Sequence, residues 1–221
     1  MKRFSLRYNL LTSKLDQLWF PFAFFGVFVI IGILRGENYI VDTTRAYLGA
    51  VIPLLGGIMA SYSVLEDPSL ELRFATPVST LQTMLERLLP SFLIEAFFAL
   101  AYQLFAAAFG ADLASMYGLW GNLQIAWMVP TISLMALGFF TAIVAAKSTI
   151  GALFAGMVWL VELVAREWFL ASDIGKYFLV YMSIFYPDNP ALRNNQFALV
   201  WLGLILFMAA WVLLKKQERY I

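Results

Sequence analysis

The chain alternates long apolar runs with short polar breaks, and the runs have the length of membrane helices rather than of strands. Six of them approach the roughly 20 residues that a helix needs to cross hydrocarbon: Leu18 to Leu34, Ala46 to Leu65, Leu88 to Phe109, Leu123 to Ala146, Thr149 to Ala165 and Phe197 to Leu214. The fourth and fifth are nearly continuous and together too long for one crossing. Lys147-Ser148 is their polar break, so a tight turn is predicted there. The first run follows basic residues but ends in Leu34-Arg35-Gly36-Glu37, with no small-x-small cleavage pattern, and is expected to stay as an anchor. The pattern predicts an all-α membrane protein with a single domain over residues 1–221 and six transmembrane helices.

Three segments outside these runs have a pattern of their own. In Leu6 to Trp19, Leu11, Leu15 and Leu18 fall at i, i+4 and i+7 with Arg7 and Lys14 elsewhere on the wheel, which predicts an amphipathic N-terminal helix on the membrane surface. A plain extension of the first span fits the same residues. The stretch Arg166 to Gln196 is long for a connector and contains the apolar run Tyr177 to Tyr186, stopped by Pro187. Too short to span, that run is expected to dip in as a re-entrant or interfacial helix before the last span.

The third segment is the polar island Leu65 to Ser79. Asp67 can cap a helix whose first turn holds Pro68, where a missing amide hydrogen costs nothing, and Glu71 lies near the positive end of the helix dipole. Thr76-Pro77 then ends it, since a residue before proline is pushed from helical geometry. Ser79 followed by Gln82 is a capping-box pattern, and Leu81, Leu85 and Leu88 carry the next helix into the third span.

Composition narrows the chemistry. A hydrophobic content of 62% with 13% charged residues and a mean hydropathy of +0.79 agrees with an integral membrane protein. With no cysteine and no histidine, the chain has no disulfide, thiolate nucleophile or imidazole base, and no metal site is predicted. Basic residues divide unevenly between the two sides. Lys2, Arg3, Arg7, Lys14, Arg73, Arg87, Lys147, Lys215, Lys216 and Arg219 lie on one, and Arg35, Arg45, Arg166, Lys176 and Arg193 on the other. Both termini and the polar island are therefore expected to be cytoplasmic, in a multi-pass protein of the cell membrane. Trp19, Tyr47, Trp120 and Trp168 at segment ends fit interfacial anchoring.

Leu70-Glu71-Leu72 followed by Ala75-Thr76-Pro77-Val78-Ser79 resembles the cytoplasmic loop of the ABC-2 family of ABC-exporter permeases. The six-span layout, the aromatic external loop and the Lys215-Lys216-Gln217-Glu218-Arg219 tail are similar too. Asp67-Pro68-Ser69 departs from the Gly and Thr frequent there, and Arg73 from the usual leucine. The resemblance implies a permease that pairs with a second permease subunit, identical or homologous, and with ABC ATPase subunits that bind ATP and Mg; no cofactor is expected in this chain and no nucleic acid among its partners. It further implies a coupling helix that touches the ATPase through Glu66, Asp67, Glu71, Arg73, Thr76, Pro77 and Ser79, and a second contact centred on Lys147. Lys147-Ser148-Thr149 mimics the end of a phosphate loop, but Ala142 to Ala146 holds no glycine to wrap phosphates, so the chain is not expected to hydrolyse ATP and no catalytic residue is assigned.

Polar residues inside the spans are candidates for structure or transport. Glu95 in the third span is a possible intramembrane polar site, as a substrate contact or a latch. Glu162 and Arg166, at i and i+4, predict a structural ion pair, and Gln103 and Gln124 an interhelical hydrogen bond. Gly151-x-x-x-Ala155 and Gly57-x-x-x-Ser61 allow close helix contact, and Pro53 and Pro130 can kink the second and fourth spans. Phe178, Tyr181 and Phe185 form a possible external gate. A cavity lined by apolar and aromatic residues of the first, second and fifth spans would suit a hydrophobic or amphipathic cargo. Two other readings fit the same features: a non-transporting anchor or sensor that docks a cytoplasmic protein, or a membrane-embedded enzyme using carboxylates such as Glu95 and Asp112.

Overall fold

The computed structural model describes residues 15–66, 79–113 and 119–215, and every regular element within them is helical. In chain order these are α1 (Leu15–Arg35), α2 (Glu37–Ala46), a π-helical turn (Tyr47–Val51), α3 (Ile52–Ser63), α4 (Thr80–Ala108), α5 (Trp120–Ala145), α6 (Ser148–Val164), α7 (Arg166–Ala171), a 3-10 turn (Gly175–Tyr177), α8 (Met182–Phe185) and α9 (Leu192–Leu214). Among the described residues, four helical stretches are long and apolar enough to cross a membrane: Tyr39–Ser63, Thr80–Ala108, Trp120–Ala145 and Leu192–Leu214. Two shorter apolar helices, Trp19–Arg35 and Ser148–Val164, are the first and fifth of the expected segments. The proposed coupling segment from Asp67 to Val78 lies outside the described residues, as does most of Leu6 to Trp19, whose last residues open α1.

The second segment differs from expectation. Its helix starts at Glu37, well before Ala46, and takes in Asp42, Thr43, Thr44 and Arg45. Thr43 and Thr44 satisfy their hydroxyls on the carbonyls of Tyr39 and Ile40 at 2.8 and 2.7 Å, so neither needs water. Tyr47, read as an interfacial anchor, is instead fully buried, whereas Trp19, Trp120 and Trp168 are exposed. Pro53 follows the π-helical turn and lacks the amide that would continue regular pairing into it, a disturbance of the ladder of the kind that accompanies helix irregularities.

Burial separates the centre from the rim. Inside the protein, 72% of the Tyr39–Ser63 window is covered and 56% of Trp120–Ala145, against 33% of Thr80–Ala108 and 22% of Leu192–Leu214. The α2–α3 stretch and α5 are therefore central, and α4 and α9 expose their outer faces. Helix α5 packs along α3, α6 and α9 and is the hub of the bundle.

Small residues decide how closely the hub is approached. A Cβ on Gly138 of α5 would overlap the carbonyl of Gly57 on α3. One on Gly151 of α6 would lie 2.5 Å from the Gly138 carbonyl and 2.8 Å from Ser61 Cβ, and Gly57 faces Ala155. The two small-xxx-small motifs thus pack on each other, with Gly138 between them. Hydrophobic burial does not drive helices together in lipid, so such close dispersion contact takes its place.

Helix ends and breaks are closed locally. Ser79 caps α4 as expected, its Oγ accepting from the Gln82 amide at 3.2 Å, but the other half of the capping box is replaced: Gln82 Nε2 donates to Glu86 Oε1 at 2.8 Å. The turn at Lys147 is as tight as predicted: Ala146 adopts a left-handed conformation (φ 52°), and the Lys147 amide donates back to the Ala142 carbonyl at 3.1 Å. Gln103 and Gln124 join α4 to α5, Gln124 Nε2 donating to Gln103 Oε1 at 2.7 Å.

Gly138→Ala should destabilise the bundle by about 1–3 kcal/mol, because the added methyl meets backbone that cannot retreat. Gly156→Ala, with nothing within 4 Å of its new Cβ, should be close to neutral. Thermal unfolding of the two variants in the same detergent measures the difference, and equal midpoints would show that the Gly138 contact does not hold the bundle.

Candidate functional site

Two groups of expected site residues meet at one end of the bundle. Past the end of α3 the chain makes a turn, with the Glu66 amide donating to the Tyr62 carbonyl at 3.3 Å. Glu66 Oε1 accepts from Ser148 Oγ at 2.7 Å. Ser148 is buried and is the first residue of α6, whose N-terminus presents unpaired amides and a partial positive charge, so a carboxylate is favourably placed beside it. Lys147, next in line, is exposed. The structure thus ties the exit of α3, where the polar island begins, to the short connection between α5 and α6. Ser79, also exposed, caps the helix on the island's other side. Asp67, Glu71, Arg73, Thr76 and Pro77 lie outside the described residues.

At the opposite end the segment from Arg166 to Ala191 forms a cap. The apolar run Tyr177 to Tyr186 is not one re-entrant helix: a 3-10 turn, an irregular turn and the single helical turn of α8 divide it. Its middle is nonetheless buried, with Leu179, Tyr181 and Met182 fully covered. The backbone groups this exposes to apolar surroundings find side-chain partners. Val180 donates its amide to Glu162 Oε2 at 2.7 Å, and Asn195 Nδ2 donates to the carbonyls of Lys176 and Leu179 at 3.0 and 2.9 Å. Glu162 therefore serves the cap rather than the expected pair with Arg166. Arg166 instead lies 3.5 Å from Glu167 and over the ring of Phe185 at 4.5 Å.

Proline chemistry links the cap to the hub. Pro130 has no amide, which removes the intrahelical donor for the Ala126 carbonyl, and Ser183 Oγ donates to that carbonyl at 2.7 Å. Trp159 Nε1 donates to the Ala50 carbonyl, in the π-helical turn, at 2.7 Å. Ile184 fills the space left by the absent side chain of Gly49. The expected gate trio divides accordingly: Tyr181 is buried and donates to the Trp159 carbonyl at 3.1 Å, while Phe178 and Phe185 are 39% and 40% exposed. Burial, and then the Glu162 charge, push the Tyr181 phenol up from its ordinary pKa. The Tyr186 phenol, which donates to Glu167 Oε1 at 2.6 Å, is also raised, first by that hydrogen bond.

Glu95 lies deep in α4 with no exposed surface, whereas Asp112 is exposed beyond that helix, so the carboxylates considered for an enzyme are not brought together. Among the described residues no three or more of His, Cys, Asp and Glu gather in a metal-binding group. Fold and site together define an all-helical membrane protein. No protein-family model, curated protein or solved structure matches the chain.

Sequence reasoning missed Gly138, Asn195 and Ser183. Of these only Ser183 had a signal, because Pro130 announces an unpaired carbonyl one turn earlier that some donor must satisfy.

Ser148→Ala should loosen the junction between the two connections by about 1.5–3 kcal/mol, the range for a hydrogen bond to a charged group. The expected readouts are a lower unfolding midpoint and faster hydrogen exchange at the start of α6, with Ser148→Thr retaining most of the wild-type value. Unchanged exchange in Ser148→Ala would show that Glu66 does not restrain α6.

Proposed function

We propose that this chain is the transmembrane permease subunit of an ATP-driven exporter, with ATP hydrolysed by a separate ABC ATPase subunit and both termini cytoplasmic. The observation that carries the reading is the 2.7 Å bond from Ser148 Oγ to Glu66. It joins, at one end of an apolar bundle, the two connections that resemble ATPase contacts in the ABC-2 permeases. A partner that pushed on either connection would move α3 and α6 together, and these helices share the backbone contacts with α5. The reading takes all six apolar helices as crossing the membrane, including the two shorter ones, which have 17 residues each by the Trp19–Arg35 and Ser148–Val164 bounds.

The mechanism follows from how the helices are tied. Closure of the ATPase pair would press on the polar island and on Lys147, and the Glu66–Ser148 bond would carry that displacement into α3 and α6. At the far end α6 holds the cap through Glu162, and Ile184 of the cap packs on Gly49 in the π-helical turn that leads into α3. Movement at the ATPase side would therefore reach the cap without a separate linkage. The cargo class suggested by the apolar and aromatic faces is hydrophobic or amphipathic.

The test is the paired charge reversal Glu71→Arg with Arg73→Glu. The variant should insert at wild-type levels but lose most of the ATP turnover of the complex purified in mild detergent and reconstituted in vesicles. A variant that keeps its full complement of ATPase and its turnover contradicts the coupling assignment. A chain that purifies with no ATP-hydrolysing subunit supports the anchor or sensor reading instead.

A further inference from the structure

Glu95 belongs to the inward row of α4 formed by Leu88, Ser91, Glu95, Ala99, Tyr102 and Ala106, all buried. It has no exposed surface, and among the described residues neither of its carboxyl oxygens has a hydrogen-bond partner. The Tyr47 hydroxyl is buried and unpartnered as well, and lies within electrostatic reach of that carboxyl group. Tyr47 is also the first residue of the π-helical turn, a kind of irregularity that recurs at functional sites. Aromatic rings close around it, with Tyr102 at 4.4 Å, Phe28 at 5.3 Å and Phe25 at 6.4 Å between centroids.

The helices packed against α4 supply no counter-charge at this level. These are α1, α2, α3 and α9, together with α5, which meets α4 at Phe92 and Gln103 and carries no charged residue. On them Arg35, Glu37, Asp42, Arg193 and Lys215 are exposed toward helix ends, and Arg45 is two residues before Tyr47. On α4 itself Arg87 is buried eight residues earlier, about 12 Å along the axis at 1.5 Å per residue. Tyr102 directs its hydroxyl to the Phe28 carbonyl at 3.0 Å. An ionised carboxylate here would be buried with no hydrogen bond and no adjacent cation among the described residues, a state that burial strongly disfavours. A hard metal ion takes six or more oxygens, and Glu95 with Tyr47 offers three. A proton needs one.

We propose that Glu95 is a proton-binding site inside the bundle, with the Tyr47 hydroxyl on the π-helical turn as a polar neighbour. Binding adds a proton from water to one carboxyl oxygen and leaves a neutral acid in the closed arrangement; release returns that proton to water when the bundle opens and leaves the carboxylate hydrated. The inference does not depend on the exporter reading, since it concerns the chain by itself.

Infrared spectra of the purified chain in lipid vesicles, recorded through a pH titration, test it directly. At neutral pH the wild type should show the carbonyl stretch of an un-ionised carboxylic acid, lost reversibly on raising the pH. The band should be absent from Glu95→Gln, whose neutral amide has the shape of the acid, and present in Glu162→Gln. Tyr47→Phe should shift its frequency or its titration midpoint, which keeps the assignment testable if Glu95→Gln does not fold. Absence of the band at neutral pH overturns the proposal. So does a Glu95 band that no pH moves, which would make the residue a permanently neutral part of the core.

Discussion

Everything else in this bundle depends on three helices being able to bring their backbones together at Gly57, Gly138 and Gly151. In water, apolar side chains would gather helices by burial; in lipid that drive is absent, and association relies on dispersion at short range together with interhelical hydrogen bonds. A side chain on Gly138 would hold α3 away from α5, and one on Gly151 would hold α6 away from both. The central position of α3 and α5 and the exposed outer faces of α4 and α9 follow from that contact.

Once α3, α5 and α6 are fixed, the polar groups stranded in an apolar body can be satisfied across helices. Each break in regular hydrogen bonding meets a specific donor or acceptor. Pro130 frees the Ala126 carbonyl for Ser183, the irregular cap has Glu162 and Asn195 for its backbone, and the turn after α3 has Ser148 for Glu66. The bonds of Ser148 and Glu162 sit near the two ends of α6, so that helix connects them physically. The pattern is what a device that passes displacement from one end to the other requires, and it gives the proposed permease a mechanical basis in named contacts.

Much of the architecture was legible in the sequence because it depends on local chemistry. Ser79 with Gln82 marks a helix start, Lys147-Ser148 marks the only place a long apolar stretch can turn, and Gln103 and Gln124 pair because an amide in hydrocarbon must find a partner. Other features depend on tertiary surroundings. Asn38 to Arg45 lay outside the expected second span because of its Asp, Thr and Arg residues, yet threonine hydroxyls bonded to their own helix let that helix include them. The ten-residue aromatic run was expected to be one helix, but side chains from α6 and α9 satisfy its backbone and remove the need for regular pairing. Glu162 had an apparent partner four residues on, and an amide eighteen residues away took its place.

The central claim is that the Glu66–Ser148 junction and the Arg166 to Ala191 cap lie on opposite sides of a membrane, joined by α6. Single cysteines at Lys147 and at Asp188, both exposed, test it most directly, and the native chain has no cysteine to confuse the result. In intact cells an impermeant thiol reagent should label Asp188→Cys from outside and reach Lys147→Cys only after the membrane is opened. Labelling of both positions from the same side would contradict the account.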